Sequence, residues 1–140
     1  MLTNTKIDIK VKLALLWASI MFLYIYADFF DGMTPGSIEM SNNLQTPVGP
    51  LTPGLLIIFS LILIVPSLMV FLSIFLQPKI NRILNIIIAI LWSTMSVLLF
   101  VETIASEWGQ FYALYQFIEI IVFGMIIWQA YKWPKETEQA

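Results

Sequence analysis

The chain has 140 residues, 59% hydrophobic and 11% charged, with a formal net charge of -2 and neither Cys nor His. A soluble domain carries about 25% charged residues, so a chain with a mean hydropathy of +0.86 lacks the polar surface to be covered by water and must be covered by lipid. The missing Cys and His exclude disulfides, thiolate or imidazole metal sites, bis-imidazole haem and Ser-His or Cys-His nucleophiles, and no basic face suited to nucleic acid is present.

Residues Met1 to Lys10 form a short polar arm. The first span is expected over about residues 11–30; twenty residues rise about 30 Å, which matches the hydrocarbon core of a bilayer. It reads as a retained span, because the apolar stretch is too long for a signal peptide and no small-x-small cleavage site follows. A loop from about Asp31 to Thr52 comes next, and Gly32, Pro35, Gly36, Asn42, Asn43, Pro47, Gly49 and Pro50 forbid a long regular element there. Within it, Thr34-Pro35 is placed to cap a short helix through Ser37, Ile38, Glu39 and Met40. The loop is longer than most helix–helix connections, which favours a partner or a function; a spacer on the membrane surface is the alternative.

Thr52-Pro53 has the form of an N-cap followed by Pro at the first helical position. The second span is expected over about residues 53–76, with Pro66 near its middle removing one backbone donor and kinking the helix. Ser60, Ser67 and Ser73 are the other polar side chains of that span. Gln77-Pro78 makes a tight turn into a third span over about residues 81–103, so spans two and three form an antiparallel hairpin. After a short turn with Ala105, Ser106 and Gly109, a fourth span covers about residues 110–132, and Trp133-Pro134 stops it. Lys135 to Ala140 form a charged tail expected to lack regular structure.

The seven basic residues give the topology. Lys6, Lys10 and Lys12 precede or open span one, Lys79 and Arg82 lie in the second connection, and Lys132 and Lys135 follow span four. Basic residues are retained on the cytoplasmic side, so the expected fold is an all-α, four-helix transmembrane bundle with both termini in the cytoplasm and a long extracytoplasmic loop between helices 1 and 2. It is read as one membrane domain over residues 1–140. Trp17, Trp108, Tyr112, Tyr115, Trp128, Tyr131 and Trp133 lie near span ends, where amphipathic rings prefer the headgroup level. Gly124 is the one small residue inside span four that would allow a close helix crossing.

Three acids lie within or at the ends of spans: Asp28, Glu102 and Glu119. Glu119 is the deepest. A charge at the bilayer centre costs at least about 2.5 kcal/mol on insertion scales, so Glu119 should face the bundle, either as interhelical glue, protonated and donating a hydrogen bond, or as a functional acid. Tyr112, Gln116 and Glu119 recur at helical spacing, with Tyr115 one turn before Glu119. Trp17, Met21, Tyr24 and Asp28 share a face of span one, and Met95, Leu98 and Glu102 align on span three with Thr94 and Ser96 nearby. Convergence of these faces would build an outward-opening acidic pocket from Asp28, Glu102, Glu119, Gln116, Tyr24, Tyr112 and Tyr115. It would take a proton, a cation or a polar organic ligand. No catalytic residue, cofactor or metal site is expected, since no nucleophile–base pair or set of ligands at fixed short spacing is present.

Four segments carry a resemblance: Tyr24-Ile25-Tyr26-Ala27-Asp28, Thr34-Pro35-Gly36, the stretch from Pro78 through Lys79, Ile80, Asn81, Arg82, Ile83 and Leu84 to Asn85, and Tyr131-Lys132-Trp133-Pro134. In this order they resemble a family of small bacterial four-span membrane proteins of unknown function. The resemblance implies an inner-membrane protein and supplies no catalytic residue. Small multidrug-resistance transporters are similar in having four spans and one decisive membrane Glu. Theirs lies in the first span and their outer loops are short, so this chain departs from that pattern. The function expected from the residues is a non-enzymatic membrane protein binding a small ligand or a partner through the outer pocket and loop, with the bilayer and a second copy or membrane protein as partners. The alternative is a proton- or cation-coupled transporter using Glu119.

Overall fold

A bilayer core offers the backbone no water, so each crossing segment must close its own hydrogen bonds. The computed structural model describes residues 1–135, and the expectation for the tail beyond Lys135 lies outside the described residues. It contains four helices long and apolar enough to cross a membrane. They are α1 (Ile9–Asp31), α3 (Pro53–Phe75), α4 (Pro78–Thr103) and α5 (Gln110–Tyr131), with a short α2 (Ser37–Asn42) in the long loop. The protein is thus an all-α, multi-pass membrane protein. The ends of the spans fall where the local chemistry puts them. Asp8 accepts from the Lys10 N–H at 2.8 Å to open α1. The Thr52 hydroxyl accepts from the Leu55 N–H at 3.1 Å, with Pro53 at the first position of α3. Gly109 precedes α5 in a 3-10 turn (Glu107–Gly109) so tight that a Cβ there would lie 2.5 Å from the Thr103 carbonyl oxygen.

The long loop folds on itself. After α2, residues Gln45–Thr46 pair antiparallel with Gly49–Pro50. The short helix forms where expected, but Thr34 does not cap it. Gly36, at φ 85°, is the N-cap, while the Thr34 and Ser37 hydroxyls both turn back to the Asp31 carbonyl, at 2.8 and 2.9 Å. With the Thr34 backbone N–H, which donates to the same carbonyl at 3.0 Å, they close off the end of α1.

Chain alternation puts the three basic segments together: the start of α1, the turn between α3 and α4, and the end of α5. This is the basic end; the long loop lies at the other, the loop end. α4 packs along α5, and α1 packs on both α3 and α5. Although consecutive, α3 and α4 make few contacts. The apolar core sits in the basic half and comprises Leu13, Trp17, Ile20, Met69, Ala89, Phe123, Ile126 and Ala130.

Trp17 therefore departs from the headgroup position expected of it. It is wholly buried, edge-on to Phe123 at 5.9 Å, and its indole N–H donates to Asn85 Oδ1 at 2.7 Å. Gly124 also differs: it is exposed, and nothing lies within 4 Å of where its Cβ would be. The alanines buried in the bundle are instead Ala14, Ala27, Ala89, Ala113 and Ala130.

Two devices satisfy the polar groups that the spans carry. Around Trp17, the Asn85 amide nitrogen donates to the Asn81 carbonyl and side chain at 2.9 and 2.7 Å, and Asn81 donates to the Ser73 carbonyl at 2.6 Å. This closed network ties α1, α3 and α4 together and caps the end of α3, where Lys10 Nζ also donates to the Ile74 carbonyl at 3.2 Å. Pro66 has no N–H to give the Ile62 carbonyl four residues earlier. The Trp92 indole N–H, from α4, donates to that carbonyl at 3.2 Å.

Candidate functional site

The loop-end half of the bundle holds a different kind of polar cluster. Tyr24 and Asp28 come from α1, Ser96 from α4, and Tyr112 and Gln116 from α5; with Ile62, Leu63, Met95 and Leu99 they line a cavity of about 70 Å³. Glu119 stands one turn below Gln116 on α5, nine residues from its start, about 14 Å into the span. The heptad-like spacing of Tyr112, Gln116 and Glu119 places all three toward α1 and α4, because large apolar neighbours such as Leu114, Phe117 and Ile121 take the lipid-facing side.

Glu119 is wholly buried, and the Ser96 hydroxyl donates to its Oε2 at 2.9 Å. Its other oxygen, Oε1, has no partner, and neither does Gln116 Oε1 one turn away; Gln116 is 1% exposed. These are the two buried side-chain polar atoms left unsatisfied among the described residues. Such groups cost about 1–3 kcal/mol each when left without a partner. Every Lys and Arg belongs to the basic end, so no cation neutralises this carboxyl. At the outer rim, Asp28 is exposed and accepts a long hydrogen bond of 3.4 Å from the Tyr112 hydroxyl.

Of the residues singled out by sequence, Asp28, Tyr24, Tyr112 and Gln116 share this cavity, with Glu119 beneath it. Glu102 and Tyr115 stand apart. Glu102 is exposed beside Leu98 and Val101 on the lipid-facing side of α4. Tyr115 lines a separate, almost wholly apolar hollow of about 370 Å³ with Phe30, Met33, Thr34, Trp108 and Phe111. The face of α4 that enters the bundle is Asn81, Asn85, Ala89 and Ser96, not the one carrying Leu98 and Glu102. Ser96, which supplies the one hydrogen bond to Glu119, is thus the site residue that the acid-centred alignment passed over. The legible signal was the stripe of small and polar residues at helical spacing, which in lipid marks the packed face.

Chemically, two acceptors on neighbouring turns call for a donor between them. A water, a proton carried by water, or a small cation meets that need. Among the described residues no three Asp, Glu, His or Cys side chains gather as a metal centre would require. The profile of a family of unknown function (DUF6326) matches residues 4–140, and the chain belongs to that family. No curated protein matches the chain, and no solved structure does.

Proposed function

We propose that this DUF6326 member is a non-enzymatic membrane protein that binds a small polar guest, a proton with its water or a monovalent cation, with Glu119 as the binding acid. One observation carries this: Gln116 Oε1 and Glu119 Oε1 are buried acceptors without donors, beside a cavity of about 70 Å³. That volume fits about two waters at roughly 30 Å³ each. It is far below the roughly 300 Å³ where drug-sized ligand sites begin, so the polar organic ligand envisaged from sequence gives way to a smaller guest. The basic end faces the cytosol of a bacterial inner membrane in this reading, and the cavity is entered from the opposite side past Asp28.

The position of Asp28 also favours a coupled transporter as the second reading. An exposed carboxylate at the rim, bonded by the Tyr112 hydroxyl, and a buried one below it, bonded by the Ser96 hydroxyl, make a two-step path for a cation.

Infrared difference spectroscopy of the reconstituted protein in H2O and D2O tests the binding reading. The carboxyl stretch lost in Glu119→Gln should shift on deuteration within minutes, showing that water reaches the group. A band unmoved after hours would refute it. Proteoliposomes with an internal pH dye separate the second reading: an imposed potential should drive proton uptake in wild type and not in Glu119→Gln. Exchange without uptake leaves a binding protein.

A further inference from the structure

Two of the segments that the sequence singles out meet at the basic end, away from the acidic cavity. Pro78, Lys79, Arg82 and Ile83 open α4, and Trp133 and Pro134 follow α5; between them runs a groove of about 420 Å³ that Lys135 and Ile86 complete. Its walls are of two kinds. Lys79, Arg82 and Lys135 are cationic, and among the described residues no acid lines the groove. Ile83 and Ile86 continue up α4 as an apolar track toward the membrane core, with Ile83 50% exposed. The Arg82 guanidinium lies over the Tyr131 ring at 5.9 Å, and among the described residues it has no acidic partner.

We propose that this groove is a binding site for an anionic phospholipid, its phosphate held by Lys79 and Arg82 and one acyl chain laid along Ile83 and Ile86. The amphipathic lining is the reason to choose a lipid over a free anion. A soluble phosphate needs only the cations, whereas an exposed Ile83 and a half-buried Ile86 leading from them into the bilayer suit a ligand with a headgroup and a tail. A zwitterionic lipid brings its own cation and gains little from three more. Each Lys or Arg near an anionic headgroup contributes attraction equivalent to about a fivefold change in affinity. Trp133, half-buried in the same wall, is positioned at headgroup level, where an indole is favoured. Nothing here depends on the acidic cavity, which lies in the other half of the bundle.

The test is native mass spectrometry of the full chain released from detergent with phosphatidylglycerol or phosphatidylcholine of matched acyl chains, and with sn-glycerol 3-phosphate as the free headgroup. Phosphatidylglycerol should be retained in preference. Its apparent affinity should fall about tenfold or more in Lys79→Gln/Arg82→Gln, and less than about twofold in Lys6→Gln/Lys12→Gln, which removes the same charge from a different hollow of the basic end. Lys135→Gln changes an exposed side chain outside any helix and should lower affinity about fivefold with the fold intact. Equal retention of the two lipids would overturn the site. So would equal losses in the two double variants, or no loss in Lys135→Gln. Displacement by glycerol phosphate at lipid-like concentrations would show a bare anion site and overturn the lipid reading too.

Discussion

Both ends of the Asn85 amide are bonded, to Trp17 and Ser73 on one side and to Asn81 on the other, and the side chain is wholly buried. Glu119 is equally buried but has a partner for only one oxygen. The same cost of burying polar atoms thus has two outcomes: Asn85 belongs to a closed scaffold, Glu119 to an open site. Their substitutions should separate accordingly. Asn85→Leu strands the Trp17 N–H and the Asn81 side-chain oxygen, and should lower stability by about 1–3 kcal/mol. Glu119→Gln keeps an acceptor for Ser96 and should change stability by less than about 1 kcal/mol. Reversible unfolding in mixed detergent micelles measures both, and a larger loss in Glu119→Gln would make that residue glue. Only Glu119 was conspicuous in the sequence, since a lone acid in an apolar run is visible by its cost. Asn85 was not, because an Asn near a span end is equally at home in water, and burial is decided by a Trp that stands 68 residues away.

Among the elements, α3 shows how an apparent defect is absorbed. Pro66 and its consequence, an unpaired carbonyl, were legible; the Trp92 donor that answers it was not, because it comes from α4. The pair should be energetically coupled. Trp92→Phe alone leaves the Ile62 carbonyl bare in the membrane and should cost about 1–2 kcal/mol beyond the loss of packing. In a Pro66→Ala background the restored N–H of residue 66 takes that carbonyl, so the same Trp92→Phe step should cost less. A double-mutant cycle by unfolding reads the difference, and additive effects would show that the indole contributes packing only. The boundaries of α3 were readable for a related reason: Thr52, Pro53 and Pro78 act through their immediate neighbours. Helix facing was harder. On α4 the acid Glu102 drew attention to the wrong face. Near a helix end a carboxylate reaches water and needs no burial, whereas small residues such as Ala89 and Ser96 are what let α5 approach.

At the scale of the whole molecule, the asymmetry of charge is the feature that sequence and structure share. The four spans bring Lys6, Lys10, Lys12, Lys79, Arg82, Lys132 and Lys135 to one end, and Asp28, Asp31, Glu39, Glu102 and Glu107 to the other. In the proposed orientation, which follows the rule that Lys and Arg are retained in the cytosol, both termini lie inside. The consequence is measurable in a bacterial host. Fused after Ala140, a phosphatase that works only in the periplasm should be inactive and a fluorescent protein that matures only in the cytosol should be bright. The charge argument also states what would move the ends. Replacing Lys6, Lys10 and Lys12 by Gln removes the bias around α1 but leaves four cations at the same end, so the termini should stay mostly inside. Adding Asn42→Lys, Asn43→Lys and Gln45→Lys to the long loop reverses the bias across α1, and periplasmic phosphatase activity should then appear. If the unmodified chain already gives an active phosphatase, the cavity opens toward the cytosol instead, and the path past Asp28 runs in the opposite sense.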